Sequence, residues 1–201
     1  METISSSHFI DKVAEALRKA AIELEELQLQ AALGKAEAED KYEDIKKKFN
    51  LFVHDSKHKI NTGKAKMDDL HAKFDALMVQ LSLGKAETRD AFKEQKKRLL
   101  HAIHDIEVRI KTDEGLTRLY ALLLVEFEKF KVQLDVMEER FEKGKESAKT
   151  SFAKGKEEFN SFVEKMKSKF SKEEKPTKWE HFQTEISEAF DHLKQAFVQP
   201  N

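Results

Sequence analysis

Apolar residues recur along this chain at steps of three and four. Ile10, Val13, Leu17, Ala20, Leu24, Leu27 and Ala31 begin a first stripe, which Tyr42, Ile45, Phe49 and Phe52 continue. A second runs through Met67, Leu70, Phe74, Leu77 and Leu81, then Phe92, Leu99, Ile103, Ile106 and Ile110. A third includes Leu116, Leu119, Leu123, Phe127, Phe130, Leu134 and Met137, then Phe141, Phe152, Phe159, Phe162, Met166 and Phe170. Such spacing keeps one face of a 3.6-residue helix apolar, whereas a half-buried strand needs two-residue alternation, which no stretch shows. The pattern predicts an all-α protein.

Three segments carry turn residues. Asn61-Thr62-Gly63 pairs residues tolerant of positive φ with a cap residue, and Thr112-Asp113-Glu114-Gly115 places cap residues before an apolar run. Glu173 to Thr177 contains Pro176, which cannot sit in a helix interior. Turns at these places alone predict helices of about 50 residues, roughly 75 Å long. Three such helices joined by short turns fold back as an elongated, coiled-coil-like antiparallel bundle. Residues 1–172 are expected to form this bundle, and 173–201 a linker and a short C-terminal helix. Trp179, Phe182, Ile186, Phe190, Leu193 and Phe197 give that helix an apolar face, a candidate surface for docking on the bundle or a partner.

An internal repeat underlies the first two stripes. Residues 27–60 align with 77–110 at an offset of fifty without a gap, and 13 of the 34 positions are identical. LQLQAALGKAEAEDKYEDIKKKF returns as LMVQLSLGKAETRDAFKEQKKRL, and His54-Asp55 as His104-Asp105. A repeat fixes architecture before any single residue is weighed. Gly34 and Gly84 stand at equivalent positions within it. Either each glycine ends a helix, or the helix continues and the glycine admits a close neighbour at about 1 kcal/mol against Ala. The flanks Ala-Leu-Gly-Lys-Ala-Glu-Ala favour a continuous helix, with Gly34 and Gly84 as close-approach or bend points.

From Phe141 the period changes. Phe141, Gly144 and Lys145 return eleven residues later as Phe152, Gly155 and Lys156. Eleven residues in three turns straighten the stripe or give it a slight right-handed drift. The apolar face is narrow, so this part is expected to pack most loosely. In its period, the stretch from about Phe130 to Phe170 resembles exchangeable apolipoproteins and stress-protective amphipathic proteins. That resemblance implies reversible binding to an anionic lipid surface.

Composition narrows the chemistry. With 37 Lys and Arg against 38 Asp and Glu, the net charge is -1, unlike the basic excess of a nucleic-acid binder. There is no cysteine, so disulfides and thiolate chemistry are excluded. The N-terminus lacks a signal-peptide pattern, and the most apolar run, Leu119 to Val125, is too short to span a bilayer. A cytoplasmic protein is expected. His54 with His58, and His101 with His104, have one-turn spacing. A metal site also needs converging ligands from facing helices, and the matching carboxylates are missing. No nucleophile set or phosphate loop occurs. These features point to a non-enzymatic structural or interaction protein without cofactor or metal, binding a protein partner or a second copy.

Overall fold

The computed structural model describes residues 6–29, 35–58, 67–86, 88–143 and 145–170. Within them lie α1 (Ser6–Leu29), α2 (Lys35–His58), α3 (Asp68–Leu81), α4 (Arg89–Lys111), α5 (Glu114–Leu119), α6 (Ala121–Lys143) and α7 (Lys145–Phe170). No strand occurs among the described residues. The fold is all-helical.

α6 is the central element. It buries Ala121, Leu123, Leu124, Val125, Phe127, Phe130, Val132, Leu134, Val136 and Met137, which cover most of its circumference and leave one sector to Leu122, Glu126, Lys129 and Gln133. A helix apolar on so many sides must be enclosed, and α1, α2, α4 and α7 pack against this one. Phe49 of α2 stacks on Phe130 at 3.9 Å and meets Phe127 edge-on at 5.8 Å between ring centroids.

The long helices expected across the repeat are divided. α3 stops at Leu81 and α4 begins at Arg89, so the second copy is a helical hairpin. Side chains cap both sides of its turn. The Ser82 hydroxyl donates to the Val79 carbonyl at 2.8 Å, and extended Thr88 (φ -124, ψ 156) accepts from the Ala91 N–H at 3.1 Å. The two helices are antiparallel, with Arg109 Nε 3.9 Å from Asp69 Oδ2. One continuous helix would hold those residues about 60 Å apart. α1 and α2 are likewise separate helices, with Gly34 in the intervening stretch outside the described residues. The third stripe also divides, into the antiparallel pair α6 and α7, with Gly155 against Val132 and Lys169 beside Thr117.

The turn expected near residue 113 is present. Asp113 Oδ1 accepts the Leu116 N–H at 3.1 Å, and the Thr117 hydroxyl donates to the Ile110 carbonyl at 3.0 Å. The expected turns at 61–63 and 173–177 lie outside the described residues.

The two copies of the repeat meet at equivalent residues. The rings of Tyr42 and Phe92 lie 4.7 Å apart, as a residue and its counterpart do beside a twofold axis. Around them, the Tyr42 hydroxyl donates to Gln95 Oε1 at 3.1 Å, and Gln95 Nε2 donates to the Gly84 carbonyl at 2.8 Å. Lys46, 1% exposed, donates to the Leu83 carbonyl at 2.8 Å, pairs with Glu43 at 2.7 Å and sits 4.8 Å from the Tyr42 ring centroid. Its counterpart Lys96 turns instead to Asp135 and Glu138 on α6. The third hairpin breaks the symmetry.

α7 is not loosely packed where its side chains are described. Phe152, Phe159, Phe162, Val163 and Met166 are buried. A Cβ on Gly155 would lie 2.6 Å from Val132 Cγ1, so this glycine is a true close-approach point between α6 and α7.

Candidate functional site

A groove of about 870 Å³ runs between α1 and α2. α1 contributes Ala16, Ile22 and Leu27, α2 contributes Ile45, Phe49 and Phe52, and α6 forms the floor with Leu122, Glu126, Lys129 and Gln133. Arg18, Lys19, Lys41, Asp44 and Lys48 stand along its edges. α1 and α2 can wall one groove over these spans only by running antiparallel, with Leu27 and Lys41 towards the link between them. Ala16 and Phe52 mark the opposite mouth.

Ions are tied down at the floor. Lys129 Nζ lies 2.7 Å from Glu23 and 2.6 Å from Glu126, anchoring α1 to α6. That leaves the apolar residues as the free material of the groove. Ile22 is 45% exposed, and Phe52 and Leu122 are half-buried. Ile22 falls outside the first stripe, on a face with Glu15, Arg18, Lys19 and Glu26. An isoleucine there was the sequence signal for this site.

The repeat supplies an internal control. Phe52 has Ala102 as its counterpart, and continuing the offset of fifty back along α1 beyond the aligned segment sets Ile22 against Ala72, Ala20 against Leu70 and Leu24 against Phe74, in the hairpin where α3 and α4 pack directly together. Several positions facing the core change the other way: buried Ala20, Leu24, Val53 and Ser56 correspond to buried Leu70, Phe74, Ile103 and Ile106, whereas buried Phe49, which packs on α6, is larger than Leu99. At those four positions the first copy is smaller towards its partner helix, and at Ile22 and Phe52 it is larger towards the groove.

Elsewhere, buried charges neutralise one another. Lys131 Nζ is 2.8 Å from both Glu107 oxygens and 3.1 Å from Glu128. Burial alone would lower the pKa of Lys131, but Glu128 and Glu107 raise it above the ordinary lysine range. Lys96 is raised in the same way, its burial offset by Asp135 and Glu138. Burial, with the nearby Glu107, raises Glu128, against the opposing charge of Lys131. These groups are held by their partners and lie away from the groove.

The other expected sites scatter. His54 and His101 are exposed, 3.7 Å from Asp55 and Asp105 respectively, and His104 is exposed on α4. The side chain of His58 lies outside the described ones. No three His, Asp or Glu side chains converge as a metal-ligand set among the described residues. A shallower hollow between α2 and α3 is lined by Leu51, His54, Asp75, Met78 and Val79. Gly84 lies in the α3–α4 turn, and a Cβ there would meet no atom within 4 Å, so it is not a close-approach point. Trp179, Phe182, Ile186, Phe190, Leu193 and Phe197 lie outside the described residues.

No family model matches the chain, and no curated protein or solved structure is significantly similar to it. No helix among the described residues is long and apolar enough to cross a membrane.

Proposed function

We propose that this protein is a non-enzymatic helical scaffold whose α1–α2 groove receives an amphipathic helix from a protein partner. The observation that carries this reading is the divergence of the two copies. Ile22 and Phe52 are large and apolar at the groove, where Ala72 and Ala102 stand in the closed hairpin. From Ala16 to Leu27 the groove wall spans eleven residue steps, about 16 Å, or three turns of a docked helix. A groove with apolar walls, an ion-paired floor and charged edges suits recognition by helix anchors at i, i+4 and i+7. The rival reading, a lipid-surface binder, drew on the eleven-residue repeat. Phe152 and Phe159 of that repeat are buried in the core, which favours the scaffold.

The test is site-specific photo-crosslinking in cells, with the reactive side chain at Ile22 or, as control, at exposed Val108. The Ile22 chain should give discrete adducts to an amphipathic helix of another protein, and adding Phe52→Asp should remove them. The same adducts at both positions, or adducts indifferent to Phe52→Asp, would defeat the docking role. Anionic vesicles should leave the helicity of the purified chain unchanged.

A further inference from the structure

We propose that in the free protein the α1–α2 groove is filled by the chain's own C-terminal segment, residues 179–198, which a partner helix must displace. This rests on reading the groove as a seat for a helix. Three observations single out this occupant.

The first is shape. Set on a helix at 100° per residue, Trp179, Phe182, Ile186, Phe190, Leu193 and Phe197 fall within a sector of about 80°. So narrow an apolar face packs along a single seam, which the apolar walls of the groove supply while its charged edges meet the polar flanks. The second is length. Phe182 to Leu193 is eleven residue steps, matching Ala16 to Leu27 on one wall and Leu122 to Gln133 on the floor, about 16 Å in each case along a helix.

The third is where the chain leaves the body. α7 runs antiparallel to α6, with Gly155 against Val132 and Lys169 Nζ 3.2 Å from the Thr117 hydroxyl. Residue 170 is therefore at the N-terminal end of α6, the end where Ala16, Phe52 and Leu122 form the groove's mouth. The nine steps from residue 170 to Trp179 reach up to about 30 Å when extended. That suffices to round α1, which packs on α7 as well as α6. Entering from the mouth, Phe182 meets Phe52 and Leu122, and Ile186 comes level with Ile22. A tether this short gives an effective concentration in the millimolar range, favouring the segment over a second copy.

The chain has no cysteine and one tryptophan, so the test is direct. In the full chain, Ile22→Cys with Ile186→Cys should close an intramolecular disulfide under mild oxidation. It should close at least tenfold faster than the pair Val108→Cys with Ile186→Cys, and adding Phe182→Ser should slow it about tenfold. Equal rates for the two pairs, or a disulfide joining two chains, would overturn the proposal. A second readout needs no cysteine. Phe52→Asp should at least double acrylamide quenching of Trp179; unchanged quenching would count against the docked segment. The outcomes also separate the two readings. A fast Ile22–Ile186 disulfide, with no Ile22 adducts even after Phe182→Ser and Ile186→Ser, leaves the groove an internal seat and removes the partner. Ile22 adducts without the disulfide do the reverse.

Discussion

In the second copy of the repeat, α3 buries Leu70, Phe74, Leu77 and Leu81, while α4 buries Leu99, Ile103, Ile106 and Ile110, and the two helices pack directly together. In the first copy the corresponding faces include Ala20, Leu24, Val53 and Ser56. Leu70 against Ala20 alone is three carbons, about 2 kcal/mol of burial. With less to hold them together, α1 and α2 stand apart on either side of α6, whose Phe127 and Phe130 take up the Phe49 ring. One sequence pattern therefore yields a closed hairpin and an open one. The difference includes side-chain volume on two faces, and it turns a structural unit into one with a vacant wall.

The largest effect should come from the closed copy. Phe74→Ala empties a fully buried site against Tyr120, whose ring lies 5.6 Å away, and should cost about 3–5 kcal/mol in chemical denaturation. Phe52→Ala, at the rim of the open copy, should cost about 1 kcal/mol or less. Equal losses at the two positions would mean that the groove is a packed interface.

Next come the glycines. Gly155→Ala forces a methyl into stiff, β-branched Val132, and should destabilise by about 1–3 kcal/mol despite the better helix propensity. Val132→Ala should restore most of that loss. Gly84→Ala meets open space and should be neutral or gain about 0.5 kcal/mol through the unfolded chain. A reversed order in thermal melts would put the close approach back in the repeat.

Alkaline pH should loosen the contacts around α4 and α6 first. Burial, with Glu43, raises the Tyr42 pKa, and burial raises Tyr120 to about 12. Lys96 and Lys131 are raised by their ion pairs despite burial. All four bind their proton more tightly when folded. Their contribution is complete below about pH 10 and fades as pH rises through the folded values, by about 1 kcal/mol per unit for each group. Melting temperature should fall between pH 10 and 12, and amide exchange should quicken in α4 and α6 before α1, which carries none of the four. A melting temperature that held or rose over that range would contradict these protonation states.

The smallest effect concerns the caps. Thr88→Ala removes the N-cap of α4 and should cost about 1 kcal/mol. Its counterpart Ala38 lies inside α2, which begins at Lys35, so Ala38→Thr should bring no gain. A gain from Ala38→Thr comparable to the Thr88→Ala loss would mean that the two turns share one geometry.

The helical class, the core stripes (apart from Leu119, which is exposed) and the cap at Asp113 are legible because each is a local property of spacing or side-chain chemistry. The hairpin at Gly84 is hidden in the first copy, Ala-Leu-Gly-Lys-Ala-Glu-Ala, which offers no capping residue. Ser82 and Thr88 in the second copy carried the signal, since a hydroxyl on each side of Gly-Lys satisfies the backbone groups that a helix end exposes. The groove was harder to read. Ile22 off the stripe and the Ile22/Ala72 and Phe52/Ala102 contrasts were visible, but their meaning depends on α6 lying beneath α1 and α2. That placement is a long-range packing choice, and no local pattern encodes it.

Pulsed electron paramagnetic resonance tests most directly the claim that the fifty-residue repeat is a helical hairpin used twice. With spin labels on cysteines at 69 and 109 in one chain, and at 19 and 48 in another, both distances should fall below about 30 Å, the span of neighbouring helices plus the groove. Distances near 60 Å and 44 Å, as continuous helices require, would contradict it.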